Sequence, residues 1–258
     1  MSTGLRRFVP GAPQEAPPAR PAAEPVPAGE ATPAPGPGPD GPAQQVPEEK
    51  CEFCAATIPA DHGHVADLDS ATLMCACRAC YLLFTHSGAG QTWEQDPQPE
   101  RERRIGRARY RSIPDRYRTD PAHPLTQAEW DALEIPVGLA FFLRSSASGE
   151  TTAFYPSPAG ATECRLDLEA WGRIIEDHPL VSAAEPDVEA SLISRGERDQ
   201  PAVETFLVPV DACYELAGRM RLEWHGFDGG AEARQSIAAF LGRVRERCVD
   251  LANLGAGP

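Results

Sequence analysis

Five of the eight cysteines lie between positions 51 and 80, as Cys51-Glu-Phe-Cys54 and Cys75-Ala-Cys77-Arg-Ala-Cys80. Two residues between cysteines let one tight turn aim both thiolates at a single ion, and two such turns complete a tetrahedral four-sulfur set. The natural partition is therefore Cys51, Cys54, Cys77 and Cys80, with 22 residues between the inner two. Zn2+ is the expected ion. Iron in a rubredoxin-like site uses the same donors, but such knuckles usually carry Gly directly after the second cysteine, where this chain has Ala55 and Tyr81. Disulfides are disfavoured, because nothing directs export and cytosolic thiols stay reduced.

Three further residues near the knuckles could do chemistry. Cys75 is read as a core cysteine pointing away from the four-sulfur set, with a substituting ligand or a redox-active neighbour as alternatives. His62 and His64 form an H-x-H that reads as hairpin residues donating hydrogen bonds to sulfur or carbonyl, with a ligand role as the alternative. Cys164, Cys213 and Cys248 are isolated and read as small core hydrophobes.

The knuckles need elements to bring them together. His64 to Leu68 and Thr72 to Met74 can pair as a hairpin across Asp69-Ser70, returning the second pair to the first, and Tyr81-Leu-Leu-Phe84 can open a helix, as in zinc-ribbon and treble-clef modules. Residues 50–86 form this module. Its size is too small to bury enough surface to fold unaided, so a metal would supply the missing stability.

Outside the module the chain divides into three further parts. Residues 1–49 contain 13 Pro, nine Ala and six Gly, a composition that leaves little to pack and reads as a disordered tail with polyproline character. Leu5 and Phe8 stand out in it and could dock into a partner. Residues 87–124 form an Arg-rich connector in which 101–118 carry eight Arg against Glu102 and Asp115. It reads as a solvated helix or linker; a sleeve over an acidic surface and a nucleic-acid contact are the alternatives.

Residues 125–250 carry an α+β body. Thr126 with Glu129 makes a capping box and Leu125 with Trp130 a hydrophobic staple. Val137–Leu143 and Thr151–Tyr155 read as a hairpin, Leu168, Trp171, Ile174 and Ile175 as one face of a helix stopped by Pro179, and Val188–Leu192 and Thr205–Val208 as two more strands. Asp211 is placed as the N-cap of a helix carrying Cys213, Leu216, Met220 and Trp224, and a last helix follows Gly229-Gly230. The order implies an antiparallel sheet with helices on one face, and the strand, proline, helix sequence occurs twice, suggesting a doubled ββα unit.

Net charge is −14, which opposes nucleic acid and anionic membranes as general partners. No apolar run approaches the roughly 20 residues that span a bilayer, and residues 1–10 lack a signal-peptide core, so a cytoplasmic location without membrane insertion is expected. Residues 125–250 contain no Gly-rich phosphate loop, G-x-S-x-G elbow or H-E-x-x-H helix, and no catalytic residue is assigned.

The combination of Cys51–Cys54, the H-x-H hairpin, Cys75–Phe84, Ile135–Ser146, Tyr155–Glu163, Glu185–Leu192, Leu207–Leu216 and the Leu5–Phe8 motif resembles an uncharacterised family of high-GC Gram-positive (actinobacterial) bacteria. Genes of that family often lie beside those of uptake nickel–iron (NiFe) hydrogenases and their maturation factors. The resemblance implies a role in assembling, stabilising or serving such a hydrogenase, and the preferred reading is a non-enzymatic metal-binding accessory protein with a protein partner such as a hydrogenase subunit or maturation factor. The alternative is a rubredoxin-like electron-transfer protein with iron on the same four cysteines.

Overall fold

A carboxylate closes the first hairpin. Asp67 Oδ1 accepts the N–H groups of Asp69 and Ser70, which turns the chain between β1 (Gly63–Asp67) and β2 (Thr72–Ala76). The strands pair antiparallel from Gly63 opposite Ala76 to Asp67 opposite Thr72. A short helix, α1 (Arg78–Leu82), follows at once, and β3 (Tyr110–Ser112) adds to the free edge of β1.

These elements belong to a computed structural model that describes residues 48–85, 109–196, 203–226 and 228–254. Residues 1–47 of the tail expected over 1–49, with its Leu5 and Phe8, the arginines from 101 to 107 and most of the 195–200 loop lie outside the described residues. The described residues from Glu49 onward belong to one compact unit.

The body is a mixed α+β arrangement. After β4 (Arg118–Thr119), α2 (Gln127–Ala132) starts at Thr126 with both halves of the capping box formed. Next come β5 (Leu139–Arg144), β6 (Thr151–Ser157), β7 (Gly160–Cys164), α3 (Leu168–Asp177) and α4 (Pro179–Ser182). The chain continues through β8 (Glu189–Arg195), β9 (Val203–Pro209), α5 (Val210–Glu223), α6 (Gly230–Arg247) and β10 (Val249–Asp250). Seven strands form one sheet in the order β10-β4-β9-β8-β5-β6-β7, antiparallel except for the β10–β4 pair.

Helices cover both faces of this sheet, where one face was expected. Ala140, Phe142 and Ile193 point to one side, into a core with Trp130, Trp171, Ile174 and Val181 of α2, α3 and α4. The Phe142 and Trp171 rings stack there at 4.2 Å. The alternate residues of β8, Ala190 and Leu192, are buried as well, on the side of α5 and α6, where Glu204 of β9 meets Arg245 of α6. A strand apolar on both faces needs cover on both.

Three local readings are corrected. The strand β7 was missed: Pro158-Ala159 make a two-residue turn that Gly160 permits with φ +97°, and its missing Cβ would sit 2.6 Å from the Ala217 carbonyl. Leu168 is exposed, so α3 packs through Ala170, Trp171 and Ile174. Pro209 rather than Asp211 occupies the N-cap of α5, leaving the Asp211 carboxylate in the first turn to bond elsewhere. With β7 inserted and α3 and α5 on opposite faces, the two halves are not copies of one ββα unit.

Candidate metal centre

Each knuckle is built from backbone hydrogen bonds. In the first, the Cys51 N–H donates to Ala56 O and the Ala55 N–H to Cys51 O, both at 2.8 Å, and Lys50 bridges Thr57. Ala55 takes the left-handed conformation, φ +61°, that lets the turn close. The second knuckle is the entry to α1: Cys77 is its N-cap, and its Sγ accepts the Cys80 N–H at 3.5 Å. Tyr81 is helical, so only the first knuckle imposes a left-handed residue.

Glu52 joins the two. Its N–H donates to Cys75 O at 2.9 Å, and its carboxylate accepts the Cys75 N–H at 2.6 Å. That grip holds the first turn against the end of β2. The sulfurs of Cys51, Cys54, Cys77 and Cys80 consequently lie within 4.8 Å of one another, and Cys54 and Cys77 are 3.7 Å apart. Two sulfurs on one tetrahedral zinc with ordinary Zn–S bonds stand about 3.8 Å apart. The four sequence-assigned cysteines are thus brought together in a geometry that could hold a metal ion.

Their electrostatics point the same way. Burial pushes the Cys51 thiol up, but N–H groups of Cys77, Cys54 and Phe53 outweigh it and bring it down to about 6. Burial and then the neighbouring thiols push Cys80 up to about 12. One thiolate forms readily and opposes the next; a divalent cation among the sulfurs reverses that opposition.

The surroundings fix the module to its support. Gly63 lies so close to Tyr81 that a Cβ would stand 2.5 Å from Cδ2 of the ring, and the Tyr81 hydroxyl donates to Ile113 O at 2.8 Å. Phe53, Phe84 and Tyr110 pack their rings together at 5.0–5.6 Å. On the other side, Ala66 and Ile113 pack with Val188 and Val210, and with the partly buried Leu73 and Tyr214.

Cys75 stands apart from the four-sulfur group and meets His62 and His64 instead. His62 Nδ1 donates to Pro59 O at 2.8 Å, as expected for a hairpin histidine. His64 Nδ1 donates to Asp211 Oδ2 at 2.8 Å, a contact across 147 residues that local sequence reading had no means to find. The hydrogen bond to Asp211 holds the His64 imidazole above its ordinary pKa, against the opposing effect of burial. Cys213 is buried, and burial pushes its thiol up, so it is an inert core residue; Cys164 and Cys248 are half-buried with thiols raised by burial.

Three of the four described arginines of the connector bind the protein's own acids, whereas Arg118 donates to the Tyr117 carbonyl. Arg109 grips Asp67, Arg111 binds Glu185 and the Pro186 carbonyl, and Arg116 makes a two-pronged pair with Glu189, a fully buried carboxylate. Of the alternatives weighed for this run, the sleeve over an acidic surface holds for these three.

Two thiolate knuckles braced on a sheet-and-helix body define a cysteine-rich protein with a candidate metal centre. The chain belongs to a family of unknown function, DUF5947, which matches residues 50–248. That agrees with the resemblance to an uncharacterised family. No curated protein and no solved structure matches the chain. Among the described residues no helix is long and apolar enough to cross a membrane.

Proposed function

We propose that this protein is a non-enzymatic, zinc-binding accessory protein of the cytoplasm. Cys51, Cys54, Cys77 and Cys80 hold one Zn2+ whose role is structural, because four thiolates leave no coordination position for a substrate. The observation that carries this reading is the approach of the four sulfurs to within 4.8 Å of one another from two separate turns. The eight cysteines are all free thiols, which fits a reducing compartment.

The folded body then serves a protein partner. Leu82 and Leu83 are 48% and 64% exposed at the end of the short helix that Cys77 caps, an apolar pair that metal binding would hold in place. The partner in this reading is a NiFe hydrogenase subunit or maturation factor, the class the resemblance implies.

Metal analysis of the purified full-length chain tests the metal. A colourless protein containing zinc that Cys54→Ser removes from this site supports it; a red protein containing iron establishes the electron-transfer alternative. Titration against candidate hydrogenase subunits tests the partner. Leu5→Ala with Phe8→Ala should weaken binding roughly a hundredfold if the tail docks, and failure of the wild type to bind any such subunit removes the hydrogenase reading.

A further inference from the structure

The residues left over from the four-sulfur centre form a second constellation. His62, His64 and Cys75 each offer a ligand atom, and these atoms lie within 4.8 Å of one another. The hairpin register accounts for it: His64 is directly opposite Cys75, and His62 precedes it by two residues. The two imidazole rings stand 4.9 Å apart.

The hydrogen bonds decide which atoms are available. A carbonyl oxygen only accepts, so the 2.8 Å bond from His62 to Pro59 O puts the proton on Nδ1 and leaves Nε2 with its lone pair. The His62 side chain is 7% exposed, and among the described residues its buried Nε2 has no hydrogen-bond partner. A buried imidazole lone pair without a donor is a costly arrangement that a ligand would relieve. In His64 the Nδ1–H is held by the Asp211 carboxylate, which again leaves Nε2 as the ring nitrogen with a lone pair to offer. A histidine oriented through Nδ1 by a carboxylate or carbonyl, with Nε2 free, is the arrangement that metal-ligating histidines use.

Charge favours a cation at the same place. Asp211 bonds His64, Glu49 approaches His62 Nδ1 at 3.4 Å, and Glu52 bonds the Cys75 N–H. These three carboxylates face the cluster, and no arginine or lysine is paired with any of them among the described residues.

We propose that His62, His64 and Cys75 form a second metal site, distinct from the four-cysteine centre, that binds a divalent transition-metal ion of borderline softness through two imidazoles and one thiolate. The donor set selects zinc or a similar late first-row ion over Mg2+ or Ca2+, which take oxygen ligands. Three protein ligands leave a fourth position for water, an anion or a side chain of a partner. The half-exposed His64 side chain, 30% accessible, puts that position within reach of solvent. Asp211 is a positioning residue for His64, so the first turn of α5 tunes a site carried by the hairpin.

The test uses the full-length chain, stripped of metal under reducing conditions and titrated with Zn2+ and with Co2+ as a spectroscopic probe. The wild type should take two equivalents. Cys75→Ser and His64→Gln should each take one, keep the thiolate–Co2+ absorption of the four-cysteine centre and keep the far-ultraviolet circular dichroism of the wild type. Asp211→Asn should weaken only the second equivalent, by about 10–100-fold. Adding azide to the two-cobalt protein should change the absorption lost in Cys75→Ser and leave the remainder unaltered. If Cys75→Ser fails to fold, His64→Gln decides alone, since Gln retains the shape and polarity of the position. A wild type whose single equivalent survives His64→Gln, or variants that still bind two, would overturn the proposal. Failure of the four-cysteine reading has a different signature: the equivalent lost in His64→Gln persists in the wild type while Cys54→Ser loses no metal.

Discussion

Ala55→Gly should strengthen the first knuckle. Ala55 follows the second cysteine of its pair and sits at φ +61°, where an L-residue Cβ crowds the following carbonyl at a cost of about 1–2 kcal/mol. Glycine removes that strain. It also loosens the unfolded chain, an opposing effect of about 0.4–1 kcal/mol. The side chain is exposed, so deletion of the methyl group forfeits no packing. The net gain is roughly 0.5–1 kcal/mol. Metal binding by a small module is coupled to its folding, so the gain should emerge as Zn2+ affinity about two- to fivefold tighter. Competition with a chromophoric chelator at fixed pH reads it directly. Ala56→Gly is the control: Ala56 is exposed and its φ is negative, so glycine there carries the entropic cost alone and should weaken binding. Equal shifts in the same direction for both variants, or weaker binding by Ala55→Gly, would refute the strain argument.

Arg116→Ala should destabilise the chain by about 3 kcal/mol, because it leaves the fully buried Glu189 carboxylate without its cation; chemical denaturation measures it, and adding Glu189→Gln should recover part of the loss. Gly63→Ala should cost about 1–3 kcal/mol, since its Cβ would meet the Tyr81 ring at 2.5 Å, and an unchanged thermal midpoint would show that the ring moves freely. Burial pushes the Asp67 carboxyl up, but Arg109 and the N–H of Asp69 outweigh it, so its folded pKa lies below the unfolded one. Its contribution is therefore present above the ordinary Asp value of about 4 and lost as pH falls through the folded value; Asp67→Asn should flatten stability against pH in that acid range alone.

Local signals carried most of the fold. The capping box at Thr126, the hairpin between β5 and β6 and the proline-bounded helix α3 depend on residues within a turn of one another, and each formed as read. What was missed depends on distant partners. Leu168 fits the helical period of α3, yet it is exposed, because the period says which residues share a face and not how wide the buried stripe is. Helices on both sheet faces follow from β8 being central, a position set by its pairing with β9, the next strand, on one side and on the other with β5, dozens of residues away in sequence. The Glu189–Arg116 pair was invisible for the same reason: a glutamate opening an apolar strand gives no sign of which arginine will cover it.

The two candidate metal sites differ in how far the sequence could lead. The four-cysteine centre is legible from spacing because each pair is a self-contained turn. The second constellation needed one more step, and that step was within reach. A hairpin closed across Asp69-Ser70 with Asp67 opposite Thr72 places His64 opposite Cys75, and cross-strand partners share a face. Residues two apart also share a face in a strand, which would by itself put Cys75 beside Cys77. The strand ends at Ala76, however, and Cys77 caps α1, so the chain turns between the two thiols. Cys75 stays with the histidines while Cys77 swings to the knuckle. One residue of separation at a strand-to-helix boundary therefore sends neighbouring thiols to different sites, and Glu52, bonded to both backbone groups of Cys75, fixes that boundary in place.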